Sequence, residues 1–76
     1  MKVKGYMDIV DDYGSHHYTV RNVKDGCYYF IQKTLDGNAL RYNEKEGRVE
    51  ELIPDGKGWD VYSAYIYQAD FITKEV

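Results

Sequence analysis

Apolar and polar residues alternate with a period of two along most of this chain. In residues 2–10, Val3, Met7 and Ile9 alternate with Lys2, Lys4 and Asp8. That is the spacing of a strand with one face turned inward. Asp11-Asp12-Tyr13-Gly14-Ser15 then reads as a loop. Further on, Asp25-Gly26 and Asp36-Gly37 each interrupt strand-like sequence. Asp-Gly in that setting is the strongest short hairpin signal, because a type I′ turn needs positive φ at both central residues. Two-residue turns at these sites set Val23 opposite Tyr28, Arg21 opposite Phe30 and Val20 opposite Ile31. They also set Thr34 opposite Ala39, Gln32 opposite Arg41 and Ile31 opposite Tyr42. In the third connection, Asn43–Arg48, Gly47 suits the left-handed residue that closes a four-residue loop, and Asn43 can bond the loop amides. Tyr42 then faces Val49, and Arg41 faces Glu50.

This register gives one apolar row, Val20, Ile31, Tyr42 and Val49, and one polar row, Thr19, Gln32, Arg41 and Glu50. Agreement of neighbouring strands on one buried row is what a correct register requires. The row beyond, Tyr18, Lys33, Leu40 and Glu51, is mixed, so a bulge or strand end is expected there. The reading is an antiparallel meander of five strands, near 2–10, 17–24, 27–35, 38–43 and 48–53.

The apolar face of such a ribbon needs a cover. In residues 59–69, Trp59, Tyr62, Tyr65/Ile66 and Ala69 recur at helical spacing, and Asp60 can cap the start. The same stretch also alternates as a strand. The preferred reading is a short helix near 60–68 packed on the meander. The expected fold is thus α+β, mainly β, in a single domain over 1–76, and the alternative is an all-β small barrel.

Composition narrows the function. A chain of 76 residues buries only about 60% of the surface it exposes when unfolded, so it can spare little core for a deep pocket. No run of about 18 apolar residues suggests a membrane helix. The start lacks the continuous apolar core of a signal peptide, and the single Cys27 cannot form an internal disulfide. A cytoplasmic setting is expected. Nine residues are tyrosine, a type that suits half-buried strands and binding surfaces alike. Residues 1–33 carry five bases and four acids, whereas residues 34–76 carry five bases and nine acids. The acidic half disfavours non-specific nucleic-acid binding and favours a partner with a basic surface, although ordinary solubility also explains such charge.

Catalytic and metal chemistry find little support. His16 and His17 are adjacent, so on a strand they face opposite ways. With Asp8, Asp11 and Asp12 they make at most a loose site, and no spacing fits structural zinc. In the register above, His17 and Cys27 lie roughly 23 Å apart, too far for a nucleophile–base pair. No phosphate-cradling glycine motif occurs. No enzyme activity, metal or cofactor is expected. The polar face does combine Tyr28 and Phe30 with Arg21 and Arg41, the makings of a platform for single-stranded nucleic acid. Rings covered by another strand or a subunit are the plainer explanation.

The stretch LRYNEKEGRVEELIPDGKGW (Leu40–Trp59), followed by the tyrosine-rich segment and DFITKEV, resembles small uncharacterised proteins of Firmicutes and their phages. The resemblance covers about half the chain and implies no binding residues. It implies a bacterial or phage cytoplasmic protein, and small acidic phage proteins include inhibitors of host machinery and of host defence. The leading expectation is a non-enzymatic protein-binding module. In it Glu44, Glu46, Glu50 and Glu51 meet a basic surface, and Tyr62, Tyr65 and Tyr67 anchor the contact. The alternatives are the nucleic-acid platform and a self-assembling subunit that pairs through exposed sheet edges, as a homo-oligomer.

Overall fold

The structure, a computed structural model, describes residues 2–55 and 58–73. It contains β1 (Lys2–Asp11), β2 (Gly14–Lys24), β3 (Cys27–Lys33), β4 (Ala39–Asn43), β5 (Arg48–Leu52), β6 (Trp59–Ser63) and β7 (Ile66–Thr73). They form one antiparallel sheet in the order β6-β5-β4-β3-β2-β1-β7. The described residues include no helix.

The mainly-β expectation therefore holds, while the five-strand count and the helix over 60–68 do not. The tail instead supplies both edges of the sheet. β6 pairs with β5, and β7 pairs with β1 at the far edge. Only Ala64 and Tyr65 separate these two strands. Ser63 and Ile66 are three Cα steps apart, so the opposite edges lie within about 11 Å of each other there. The sheet must curl around its apolar face to allow this. That curl provides the cover for which a helix was expected.

The enclosed core is Met7, Ile9, Tyr18, Val20, Phe30, Leu40 and Val49. Val23, Tyr28, Tyr42, Tyr62, Ile66, Ala69 and Phe71 pack around it. Tyr18 and Phe30 stack with ring centroids 4.3 Å apart and planes 3° from parallel.

The turns explain where the expected register holds. Asp25 and Gly26 have φ of 54° and 76°, as a type I′ turn requires. Val23 pairs with Tyr28, as expected, and Lys24 with Cys27. Arg21 is then an extra residue, because Asn22 pairs with Tyr29 and Val20 with Phe30. This bulge corrects the pairing of Val20 with Ile31 and puts Phe30 in the core. Ile31 points out at 58% exposure. At Asp36-Gly37 the turn is longer than two residues. Gly37 N–H donates to Thr34 O, Thr34 N–H donates to Asn38 O, and Gly37 has φ 83°. Lys33, not Thr34, pairs with Ala39, and Tyr29 rather than Gln32 pairs with Arg41. Tyr28 takes the place expected of Ile31 opposite Tyr42.

Gln32 partly repairs the disruption: its Oε1 accepts the Thr19 N–H at 2.9 Å. The third hairpin matches its expectation throughout. Tyr42 pairs with Val49 and Arg41 with Glu50, Gly47 has φ 66°, and Asn43 Oδ1 accepts the Glu46 N–H at 3.2 Å. The expected loop at 11–15 is shorter than read, since Asp11 pairs with Gly14 across Asp12-Tyr13.

Candidate functional site: an arginine–aromatic stack on the outer face

Strand alternation places Tyr29, Arg41 and Glu50 in one row on the face opposite the core, since Tyr29 pairs with Arg41 and Arg41 with Glu50. Trp59 opens β6 opposite Leu52 and joins this face. The Arg41 guanidinium carbon lies 4.2 Å from the Trp59 ring centroid and 5.8 Å from that of Tyr29. Arg41 Nη1 donates to the Tyr29 hydroxyl at 3.2 Å. The Tyr29 and Trp59 rings meet edge to face at 5.8 Å and 71°. The bulge residue Arg21 is exposed and brings a second guanidinium to within 6.0 Å of the Tyr29 ring. Such contacts are electrostatically favourable because the ring face is the negative end of its quadrupole.

Glu50 anchors the stack. It is 2% exposed, and a buried carboxylate without partners would be costly. Arg41 Nε donates to its Oε1 at 2.8 Å, Arg48 Nε to its Oε2 at 2.7 Å, and Asn43 Nδ2 to Oε1 at 3.3 Å. Burial opposes its ionisation, but the hydrogen bonds from Arg48, Arg41 and Asn43 outweigh it and hold the carboxyl below the usual glutamate range. For Arg41, burial likewise works against the charge, and the bonds to Glu50 and Tyr29 raise its pKa above the ordinary value.

Arg21 and Arg41 thus stand where an aromatic–arginine face was expected, but their ring partners differ. Tyr28 turns inward: its ring lies 5.0 Å from Phe71, and its hydroxyl donates to Glu44 at 3.2 Å. Phe30 is 2% exposed against Tyr18. Tyr29 and Trp59 replace them. A signal for this was present in the sequence: Val20 and Val23 are three apart, and both can face a core only if a bulge lies between them.

The expected acidic patch is dispersed. Glu44 and Glu46 are exposed on the β4–β5 loop, while Glu51 is half-buried and accepts from Asn38 Nδ2 at 3.1 Å. Glu50 is sequestered by its three donors and is closed to a partner. Tyr62 is half-buried at the core edge, whereas Tyr65 and Tyr67 are 69% and 68% exposed at the β6–β7 corner.

The histidines do face opposite ways. His16 Nε2 is 2.9 Å from Asp11 Oδ1, and His17 Nδ1 is 2.5 Å from Asp8 Oδ1. Among the described residues no group of three or more His, Cys, Asp and Glu is placed to hold a metal ion. Cys27 is buried, and mainly for that reason its thiol pKa is raised. It sits beside Lys24 at one end of β2, while His17 pairs with Asp8 towards the other.

Both ring systems of the stack already carry a guanidinium. Alternation and pairing set three exposed apolar side chains on the same face. Ile31 is 58% exposed, Val61 39% and Leu52 37%. No family model matches the chain, and no curated protein or solved structure does either.

Proposed function

We propose that this protein is a non-enzymatic binding module for another protein, and that its contact surface is the outer face of β3–β6. The observation that carries this is a stack of Tyr29, Arg41 and Trp59 on the same face as the exposed apolar side chains Ile31, Leu52 and Val61. Trp, Tyr and Arg are the residue types that dominate protein interfaces. Here they are held by Glu50 in advance, so little side-chain entropy is lost on binding. Arg21 keeps donors free for a carboxylate or carbonyl at the rim. The occupied ring faces and the net charge of −3 make this surface a poorer match for single-stranded nucleic acid. The resemblance to small phage proteins suggests host machinery as the place to look for the partner.

The test is a pull-down of tagged protein from bacterial lysate, with and without nuclease, beside an Ile31→Glu variant that is exposed enough to fold. A partner that survives nuclease and is lost with Ile31→Glu is expected. Partners that vanish on nuclease treatment would point to nucleic acid, and equal recovery by the variant would remove this face from consideration.

A further inference from the structure

The tyrosines of the tail gather at a second place, away from the arginine stack. The β1–β2 turn and the β6–β7 link meet at one corner of the molecule. There Tyr13 is 69% exposed, Tyr65 69% and Tyr67 68%. The Tyr13 and Tyr62 rings are 5.9 Å apart, and the Tyr65 and Tyr67 rings 6.3 Å apart. The two pairs are joined through the turn, because the Tyr67 hydroxyl donates to Asp12 Oδ1 at 2.8 Å.

This arrangement depends on an irregularity in β7. Val10 pairs with Gln68 and Asp11 with Ile66, so Tyr67 is an extra residue. A bulge re-aims its side chain, and here it carries the ring over the turn to Asp12. The charge around the corner is one-sided. Residues 5–20 and 59–73, which form β1 from Gly5 onward, the first part of β2, β6 and β7, contain Asp8, Asp11, Asp12, Asp60 and Asp70 and no lysine or arginine. All ten lysines and arginines lie elsewhere in the chain. His16 and His17, the other bases here, are each taken by an aspartate.

We infer that this corner is a binding site for an arginine side chain of a partner protein. Several tyrosine faces and one exposed carboxylate are the elements that hold an organic cation. A guanidinium suits them better than an ammonium, because it can lie flat on a ring while donating in a fork to Asp12. Asp12 retains acceptor capacity beyond its bond to Tyr67. The site is separate from the outer face of β3–β6 and differs from it in charge, so it stands whether or not that face binds a protein.

The experiment is an NMR titration of the full chain with a blocked peptide carrying two arginines, and with its lysine and citrulline counterparts. The ring signals of Tyr13, Tyr65 and Tyr67 and the Asp12 amide are expected to shift and saturate with the arginine peptide. The lysine peptide should bind more weakly, and the neutral citrulline peptide should leave these signals in place. Asp12→Asn and, separately, Tyr65→Leu should each weaken binding at least about threefold, the scale of one surface cation–π or carboxylate contact. Ile31→Glu should not weaken it. Equal binding of the citrulline peptide, shifts that map to the Trp59 face, or no shift at millimolar peptide would overturn the site. Equal binding of the lysine peptide would overturn the assignment to arginine.

Discussion

The Arg41 guanidinium lies over the Trp59 indole, 4.2 Å from the ring centroid, while its Nε donates to Glu50 at 2.8 Å. One planar group therefore ties β4 to β5 by a charge-assisted bond and to β6 by stacking. Lysine would keep the charge but lose both the plane and the forked donors. Arg41→Lys is expected to destabilise the fold by about 1–2 kcal/mol, within the range of a partly lost charge-assisted bond. It should also shift the emission of Trp59, the single tryptophan. Urea unfolding followed by that emission measures both effects. A variant with the parent's midpoint and spectrum would show that the stack contributes nothing.

Glu50 links the stack to pH. Its folded pKa lies below the ordinary glutamate value, which is about 4.3. The stabilisation is therefore fully present above that ordinary value and is lost as the pH falls through the folded one. At pH 7, Glu50→Gln should cost about 3 kcal/mol, because Arg41 and Arg48 lose their counter-ion. In acid the parent loses the same charge, so the gap between the two proteins should narrow between pH 7 and pH 3. Urea midpoints at both pH values decide this, and a gap independent of pH would rule out the linkage.

Phe30 and Ile31 test the register directly. Phe30 is 2% exposed and Ile31 58%, the reverse of the assignment that two plain Asp-Gly hairpins give. Phe30→Ala should cost about 3–5 kcal/mol through the cavity it leaves. Ile31→Ala should stay within about 0.5 kcal/mol. Because the side-chain period is two, a one-residue error exchanges these outcomes. Chemical denaturation of the two variants separates the registers.

Much of the fold was legible where local chemistry decides it. The Asp25-Gly26 turn and the Asn43–Arg48 loop each fix their own backbone angles, and the pairs beside them, Val23 with Tyr28 and Tyr42 with Val49, follow correctly. The bulge at Arg21 was harder to see. It satisfies Val20 and Val23 together, and a strand read alone does not weigh two buried residues three positions apart. The tail was ambiguous for a different reason. Trp59, Tyr62 and Ile66 fit a helical stripe, and only pairing with the distant β5 and β1 makes them strands. The stack inherited both difficulties. Arg21 and Arg41 are legible as its guanidinium groups, but the plain register offers Tyr28 and Phe30 as their rings in place of Tyr29, and the helical spacing hides Trp59.

The junction of β1 with β7 offers the most direct test of the curled sheet. Gly5 pairs with Thr73. A Cβ at Gly5 would lie 2.8 Å from the Ile72 carbonyl oxygen and 2.9 Å from Phe71 Cε1. The carbonyl belongs to the paired strand and cannot yield without disturbing the ladder, and Phe71 packs on the core. Gly5→Ala should therefore cost about 1–3 kcal/mol as an overpacking substitution. The loss should be local. Hydrogen exchange should speed up at the β7 amides, Ala69 and Phe71 among them, more than at Val49 in β5, because local opening can precede global unfolding. If the alanine variant keeps the parent's urea midpoint and its β7 protection, β7 does not close the sheet against β1. The apolar face would then need another cover.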